Sequence, residues 1–214
     1  MLERDELVWA IPKGRVLAQL LPLFERAGLD TAPLTVKSRK LIRRAAGCRF
    51  LLLKPDDVPT YVEYGAADVG VVGRDVLLER EYDLYMPVDL GIGCCRLAVA
   101  GLVDAAYPPP PGRTLRVATK YPNVARRFFA SRGLPAEIIF VQGSVELAPL
   151  TGLSDVIVDI VETGETLRQN GLKVFEAVAE VTSVVVANRV GLKLKRARIA
   201  PFLNALRGAE GAAP

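Results

Sequence analysis

The sequence predicts an α/β fold organised as two lobes. Short apolar runs of strand length, such as Phe50-Leu51-Leu52-Leu53 and Val184-Val185-Val186-Ala187, alternate with stretches whose apolar residues recur at helical spacing. A proline cluster, Tyr107-Pro108-Pro109-Pro110-Pro111-Gly112, interrupts that alternation, leaving one run before and another after a break near residues 90–113. Half of the 214 residues are hydrophobic and 24% are charged, a globular composition with enough apolar material for a real core.

Leu7-Val8-Trp9-Ala10-Ile11 carries no polar residue and reads as a buried strand. A helix follows over residues 14–28, with Leu17, Leu20, Leu21 and Phe24 on one face and Pro22 expected to kink or interrupt it. The next elements are a strand over 49–53, a helix from Asp56-Asp57 with Asp56 as N-cap and Gly65 as stop, and a strand over 67–72. Four prolines fit neither a helix nor a central strand, so the segment between Val103 and Arg113 is an exposed connection. Beyond it come a strand over 115–119, a helix over 124–132 with Ala125, Phe128 and Phe129 on one face, and strands over 137–141 and 155–161. A β-rich stretch over 172–188 precedes a basic C-terminal helix whose limits Pro201 blurs. Strands alternating with helices predict parallel sheet, and such sheets bind ligands at the carboxyl ends of their strands.

The chain contains no histidine. That excludes Ser-His-Asp and Cys-His catalysis, the HExxH zinc site, the Cys₂His₂ finger and imidazole acid/base chemistry. Carboxylates, Arg, Lys, hydroxyls, backbone N–H groups or a bound metal remain. Cys48, Cys94 and Cys95 lack CxxC spacing; Cys94-Cys95 has the adjacency of a vicinal disulfide, but reduced thiols are expected. The opening residues lack the pattern of a signal peptide and no apolar run is long enough to span a bilayer, so a cytoplasmic protein without membrane partners is expected. A net charge of +4 suits anionic small molecules. The cluster Lys193, Lys195, Arg196 and Arg198 lacks the interleaved aromatics of a nucleic-acid stacking platform and reads as a solvated face.

Residues 155–167 carry the most chemistry. A buried strand ending in Asp159-Ile160-Val161 enters a turn, Glu162-Thr163-Gly164-Glu165-Thr166-Leu167, that leads into a short helix closed by Asn170-Gly171. Such a turn aims N–H groups and hydroxyls at one spot, as a phosphate cradle does; plain capping by Thr163 or Thr166 would give the same pattern. Asp159 interrupts an apolar run, which is costly unless the charge is paired, bonded or used. Asp159 and Glu162 could accept bonds from vicinal ribose hydroxyls or hold Mg²⁺ beside a pyrophosphate. Three acids would repel a phosphate, so Glu165 is expected to face solvent.

The run from Gly143-Ser144-Val145-Glu146 through Asp155, Asp159, Thr163-Gly164 and Thr166 to Gly171-Leu172 closely resembles the signature of the ATP phosphoribosyltransferase family. The likeness extends to Ile11-Pro12-Lys13-Gly14-Arg15, Ser38-Arg39-Lys40-Leu41, Asp57 to Glu63, Ala67 to Gly73, Cys95-Arg96-Leu97 and Ala118-Thr119-Lys120-Tyr121. It implies a two-lobed, periplasmic-binding-protein-like (type II) fold with the ligand cleft between lobes. The first lobe would hold residues 1–90 plus 184–214, and the second 91–183. It further implies condensation of ATP with phosphoribosyl pyrophosphate to N1-(5-phosphoribosyl)-ATP and pyrophosphate, dependent on Mg²⁺, as the first step of histidine biosynthesis.

By the same resemblance Glu162, Thr163, Gly164, Glu165, Thr166 and Leu167 bind the 5-phosphate and Asp159 lies at the ribose. Lys13, Gly14 and Arg15 take phosphate or pyrophosphate, and Arg39 stabilises the leaving group, with Arg15 and Asp159 completing the catalytic set. Arg49 and Arg96 are further substrate contacts, each equally readable as the partner of an acid. Tyr121 could pack against a base or ribose but reads first as a half-buried loop tyrosine, while Asp68, Gly70 and Gly73 fit either close ligand approach or ordinary turn chemistry. Ending at Pro214, the chain looks like the short form of the family, which works in a hetero-oligomer with a regulatory subunit resembling histidyl-tRNA synthetase (HisZ). The rival reading is a non-catalytic two-lobed module that binds small anions; an RNA-binding protein lacks any recognisable motif.

Overall fold

A computed structural model describes residues 6–208. Contacts divide the chain into two compact units. Unit 1 takes in the described residues up to Leu77, then Glu81–Gly93 and those from Thr182 on; unit 2 holds Leu78–Arg80 and Cys94–Val181.

Unit 1 begins with β1 (Leu7–Pro12), α1 (Arg15–Arg26), α2 (Ala32–Thr35), β2 (Ile42–Ala45) and β3 (Cys48–Leu53). A 3₁₀ turn (Pro55–Asp57) leads to α3 (Val58–Glu63), β4 (Val69–Gly73), α4 (Arg74–Glu79) and β5 (Leu84–Asp89). Its strand order is β2-β3-β1-β4, then β11 (Ser183–Asn188), then β5. β1 is buried at all six positions, and its alternating side chains feed two cores. Trp9 and Ile11 meet Leu20, Phe24, Phe50, Ile199 and Leu206 on one face. Val8 and Ala10 meet Val58, Val62, Val72 and Val186 on the other.

The expectation of parallel sheet holds only in part, because the sheet is mixed. β1 runs parallel to β3 and β4, whereas β2 is antiparallel to β3 and β11 antiparallel to both β4 and β5. β2 and β3 are joined by Ala46-Gly47, too short for a parallel crossover, with Gly47 at φ +69°.

α1 continues through Pro22 without interruption. Proline forfeits one ladder hydrogen bond, but burial of Leu20, Leu23 and Phe24 around it holds the helix together. The N-cap expectation at Asp56 is also corrected. Asp56 lies inside the 3₁₀ turn and Asp57 takes the N-cap position, because Pro55 draws the chain into helical φ early. Gly65, at φ +73° and donating to Val62 O at 3.0 Å, ends this helix as expected.

Gly70 packs where no side chain fits. An added Cβ would lie 2.8 Å from Val62 Cγ2, 2.9 Å from Val58 Cγ1 and 3.0 Å from Ala10 O. Gly70→Ala is therefore expected to destabilise the protein by about 1–3 kcal/mol, measured by chemical denaturation, and an unchanged midpoint would contradict that packing.

Unit 2 contains β6 (Cys95–Leu102), β7 (Leu115–Thr119), α5 (Pro122–Ser131), β8 (Ala136–Phe140) and α6 (Leu147–Leu150). It continues with β9 (Val156–Val161), α7 (Glu165–Gln169) and β10 (Leu172–Val181), and its strand order is β10-β6-β9-β7-β8. β7 is parallel to β8 and β9, while β6 is antiparallel to β9 and β10. The proline segment joins β6 to β7 of this one sheet, as an exposed connection. The chain then returns to unit 1 through β11, α8 (Arg189–Leu194) and α9 (Arg196–Gly208), the latter again running through its proline, Pro201.

No disulfide joins Cys48, Cys94 and Cys95; Cys48 is buried and Cys94 exposed. Among the described residues no helix is long and apolar enough to cross a membrane.

Candidate active site

β9 positions the acidic part of the site. It lies between β6 and β7, and the register sets Ala98 opposite Asp159 and Arg96 opposite Val161. Directly opposed residues of antiparallel strands share a face, so Arg96, Asp159 and Val161 point to the same side of the sheet. That side also carries Ala98, Ala118 and Ile157, covered by Ala148 of α6 and Leu167 of α7. Asp159 is half-buried and accepts a hydrogen bond from Ile160 N at 2.8 Å. Burial pushes its carboxyl up to about 6; the Ile160 N–H opposes that rise, Glu146 adds to it and Lys120 counters it. Glu146 and Lys120 thus belong to the electrostatic surroundings of Asp159. Both occur in segments that carry the family likeness, yet nothing in the sequence points to a role beside Asp159.

The turn after β9 is built as expected. Gly164 adopts φ +77°, the left-handed conformation that favours glycine, at the N-cap of α7. Thr163 Oγ1 accepts from Glu165 N at 3.3 Å, and the helical ladder begins at Arg168 N→Gly164 O, 3.0 Å. Thr166 and Leu167 precede that first rung, so their N–H groups lie in the unladdered first turn. α7 has only five residues, so N–H and hydroxyl groups, rather than a long helix dipole, would supply the attraction for an anion. Glu162, Thr163 and Thr166 are exposed, whereas Leu167 is buried and anchors the turn. Glu165 faces solvent, held by Arg168 at 2.6 and 2.9 Å and by Gln169 at 2.7 Å. Those bonds keep its carboxyl below the usual range and leave it a local helix contact.

Of the basic candidates, Lys13, Arg15, Arg39 and Arg49 belong to unit 1 and Arg96 to unit 2. Lys13, Gly14 and Arg15 are exposed at the junction of β1 and α1, where Gly14 takes φ +96° and ψ −148° at the N-cap. The Lys13 N–H is already spent on Leu53 O at 2.9 Å, so Lys13 offers its side chain and not its amide. Arg39 is exposed between α2 and β2. Its backbone is held by its neighbours: Ser38 Oγ accepts from Lys40 N at 3.2 Å, and Arg43 donates to Ser38 O at 2.9 Å.

Other candidates resolve toward structural roles. Arg49 is 7% exposed and its guanidinium is paired with Glu6, the acid pairing left open by the sequence. Arg96 remains exposed on β6. Tyr121 is more deeply buried than a half-buried loop residue, at 4% exposure, and packs in a cluster with Leu97, Val124 and Val181. Asp68 accepts from Val8 N at 2.9 Å and pairs with Lys195 at 2.8 Å, tying β1 to the C-terminal helices.

A model of the family described as HisG: ATP phosphoribosyltransferase matches residues 54–208. The chain is 58% identical over 209 residues to the ATP phosphoribosyltransferase of Sorangium cellulosum, covering 97% of each. It is 53% identical over 207 residues to that of an Anaeromyxobacter strain, covering 95% of this chain and 93% of the relative. Among solved structures it is similar to a chain of the ATP phosphoribosyl transferase (HisG:HisZ) complex from Thermotoga maritima. There the TM-score is 0.82 at 36% identity, over 97% of this chain and 100% of that one. A match over most of the length, reached from both sequence and structure, places the chain in one family: it belongs to the ATP phosphoribosyltransferases.

Proposed function

We propose that this chain performs its family's reaction, joining N1 of the adenine of ATP to C1 of phosphoribosyl pyrophosphate, the first step of histidine biosynthesis. The observation that carries the residue assignment is the unbroken run from Asp159 on β9 through the Gly164 turn into α7. It sets a half-buried carboxylate within a few residues of exposed threonine hydroxyls and unladdered N–H groups. In this reading the hydroxyls and N–H groups of the turn Glu162 to Leu167 hold the 5-phosphate, with the Glu165 carboxylate kept on Arg168; Asp159 faces the ribose, and Arg96, two residues from the Asp159 register on the same face, contacts substrate. Lys13, Gly14, Arg15 and Arg39 receive the pyrophosphate. The type II, periplasmic-binding-protein-like arrangement implied by the sequence resemblance is part of the same proposal.

Breaking the bond from C1 to pyrophosphate builds positive charge on the ribose ring and negative charge on the departing group. Fixed cations at the leaving group and an oriented ring therefore lower the barrier more than any base would. N1 of neutral adenine already offers a lone pair, which makes the lack of histidine no handicap. Among the described residues no three acids cluster to hold a metal. Asp159 and Glu162 supply two carboxylates three residues apart, a donor set that suits Mg²⁺ arriving on substrate phosphates rather than in a protein cage. Mg²⁺ so bound would neutralise charge on the pyrophosphate.

The solved relative comes from a complex of HisG with HisZ, and we extend that partnership to this chain as a regulatory subunit resembling histidyl-tRNA synthetase. The test is pyrophosphate release with ATP, phosphoribosyl pyrophosphate and Mg²⁺, with and without that subunit. Release that requires both substrates is expected. No turnover in either mixture would return the chain to the anion-binding-module reading.

A further inference from the structure

We infer that the groove formed by β5, α8 and α9 is the docking surface for an acidic face of the regulatory subunit, an assignment that rests on the partnership proposed above. The groove encloses about 650 Å³, and Arg189, Lys193, Arg196 and Arg207 line it over a floor that includes Leu192 and Leu203. No Asp or Glu lines it among the described residues. Two of the cations are fixed by the fold. Arg189 pairs with Asp83 at 2.7 Å and lies 5.0 Å above the Tyr85 ring; Arg207 donates to Pro87 O at 3.2 and 3.3 Å. Lys193 and Arg196 are exposed beside them, leaving an uncompensated positive charge on a concave surface.

Apolar residues on the same elements are also left in solvent. Leu194 is 79% exposed, Val190 64%, Met86 60% and Tyr85 48%. Of these, Tyr85 alone lines the groove, so the interface-like composition is that of the lining itself, Arg and Tyr over an aliphatic floor. Charge selects the occupant. A second copy docked about a two-fold axis would set these cations against themselves, since such an interface presents the same patch from both sides. Base stacking is disfavoured because Arg189 already covers a face of the Tyr85 ring. A protein surface bringing carboxylates to Lys193 and Arg196, and an apolar side chain to the Leu192–Leu203 floor, satisfies both features.

The test titrates the purified HisZ-like subunit into three forms of the full chain at low and moderate salt. These are the native chain, the double variant Lys193→Glu with Arg196→Glu, and Lys173→Glu on β10 as a control for charge reversal outside the groove. The double variant should bind at least about tenfold more weakly and lose much of the salt dependence, with the control within about twofold of native. The thermal unfolding midpoint of the isolated double variant should match that of the native chain, which separates lost docking from lost folding. Native-like affinity in the double variant overturns the groove assignment. Failure of the native chain itself to bind overturns the partnership, and the groove assignment falls with it.

Discussion

Replacing Arg39 with alanine is expected to lower kcat by on the order of 10²–10³, about 3–4 kcal/mol of transition-state stabilisation, while leaving the fold intact. Two observations separate the chemical role from a structural one. Arg39 is exposed, and the backbone around it is held by Ser38 and Arg43 rather than by its own guanidinium. Loss of the side chain therefore removes a cation without removing a contact that shapes the segment. A leaving pyrophosphate gains charge only as the bond breaks, so a guanidinium aimed at it acts on kcat more than on KM. Arg39→Lys keeps the charge but loses the planar fork, and should recover only part of the rate. Steady-state kinetics of the assembled enzyme decide the matter: unchanged turnover in Arg39→Ala removes Arg39 from the mechanism.

The parts of the fold legible in the sequence are those whose signals are local. β7 falls at its expected residues 115–119, and α5 buries Ala125, Phe128 and Phe129 as their spacing requires. The Gly164 turn was legible for the same reason, since a glycine between two threonines after an apolar strand specifies its own conformation. What stayed hidden depends on distant pairing. β2, Ile42-Arg43-Arg44-Ala45, is a short charged edge strand that earns its conformation only by pairing with β3. The antiparallel returns of β6, β10 and β11 are set by which strands they meet, information that alternation of strands and helices does not contain. Among the site residues, Arg49 shows the same limit. Its partner Glu6 lies 43 positions away, so an arginine on a strand reads equally as ligand contact or ion pair until the pairing is seen. The influence of Glu146 and Lys120 on Asp159 is likewise a property of packing, since one precedes α6 and the other follows β7.

Asp159→Asn is expected to stabilise the protein at neutral pH while crippling it as an enzyme, and the pH dependence of stability carries the proof. Burial pushes the Asp159 carboxyl up to about 6, against about 3.9 for an unstructured aspartate. Between those values the native state binds the proton and the unfolded chain has released it, so stability falls as pH rises from about 4 to about 6 and stays reduced above. The full difference corresponds to at most about 3 kcal/mol, and partial solvent contact brings the expected gain in Asp159→Asn at pH 8 to about 1–3 kcal/mol. The asparagine variant should also lose this contribution to the slope between pH 4 and 6, measured by denaturation across that range. Activity moves the other way. A carboxylate that holds ribose hydroxyls must be ionised to accept their bonds fully, so native kcat/KM should fall as pH drops below about 6, with the variant low throughout. The substrate 5-phosphate titrates in the same region, about pH 6, which makes a rate profile alone ambiguous. Denaturation without substrate removes that ambiguity. A variant no more stable than native at pH 8 would mean that Asp159 bears no burial penalty, and the case for a carboxylate kept at that position at a cost to stability would fail with it.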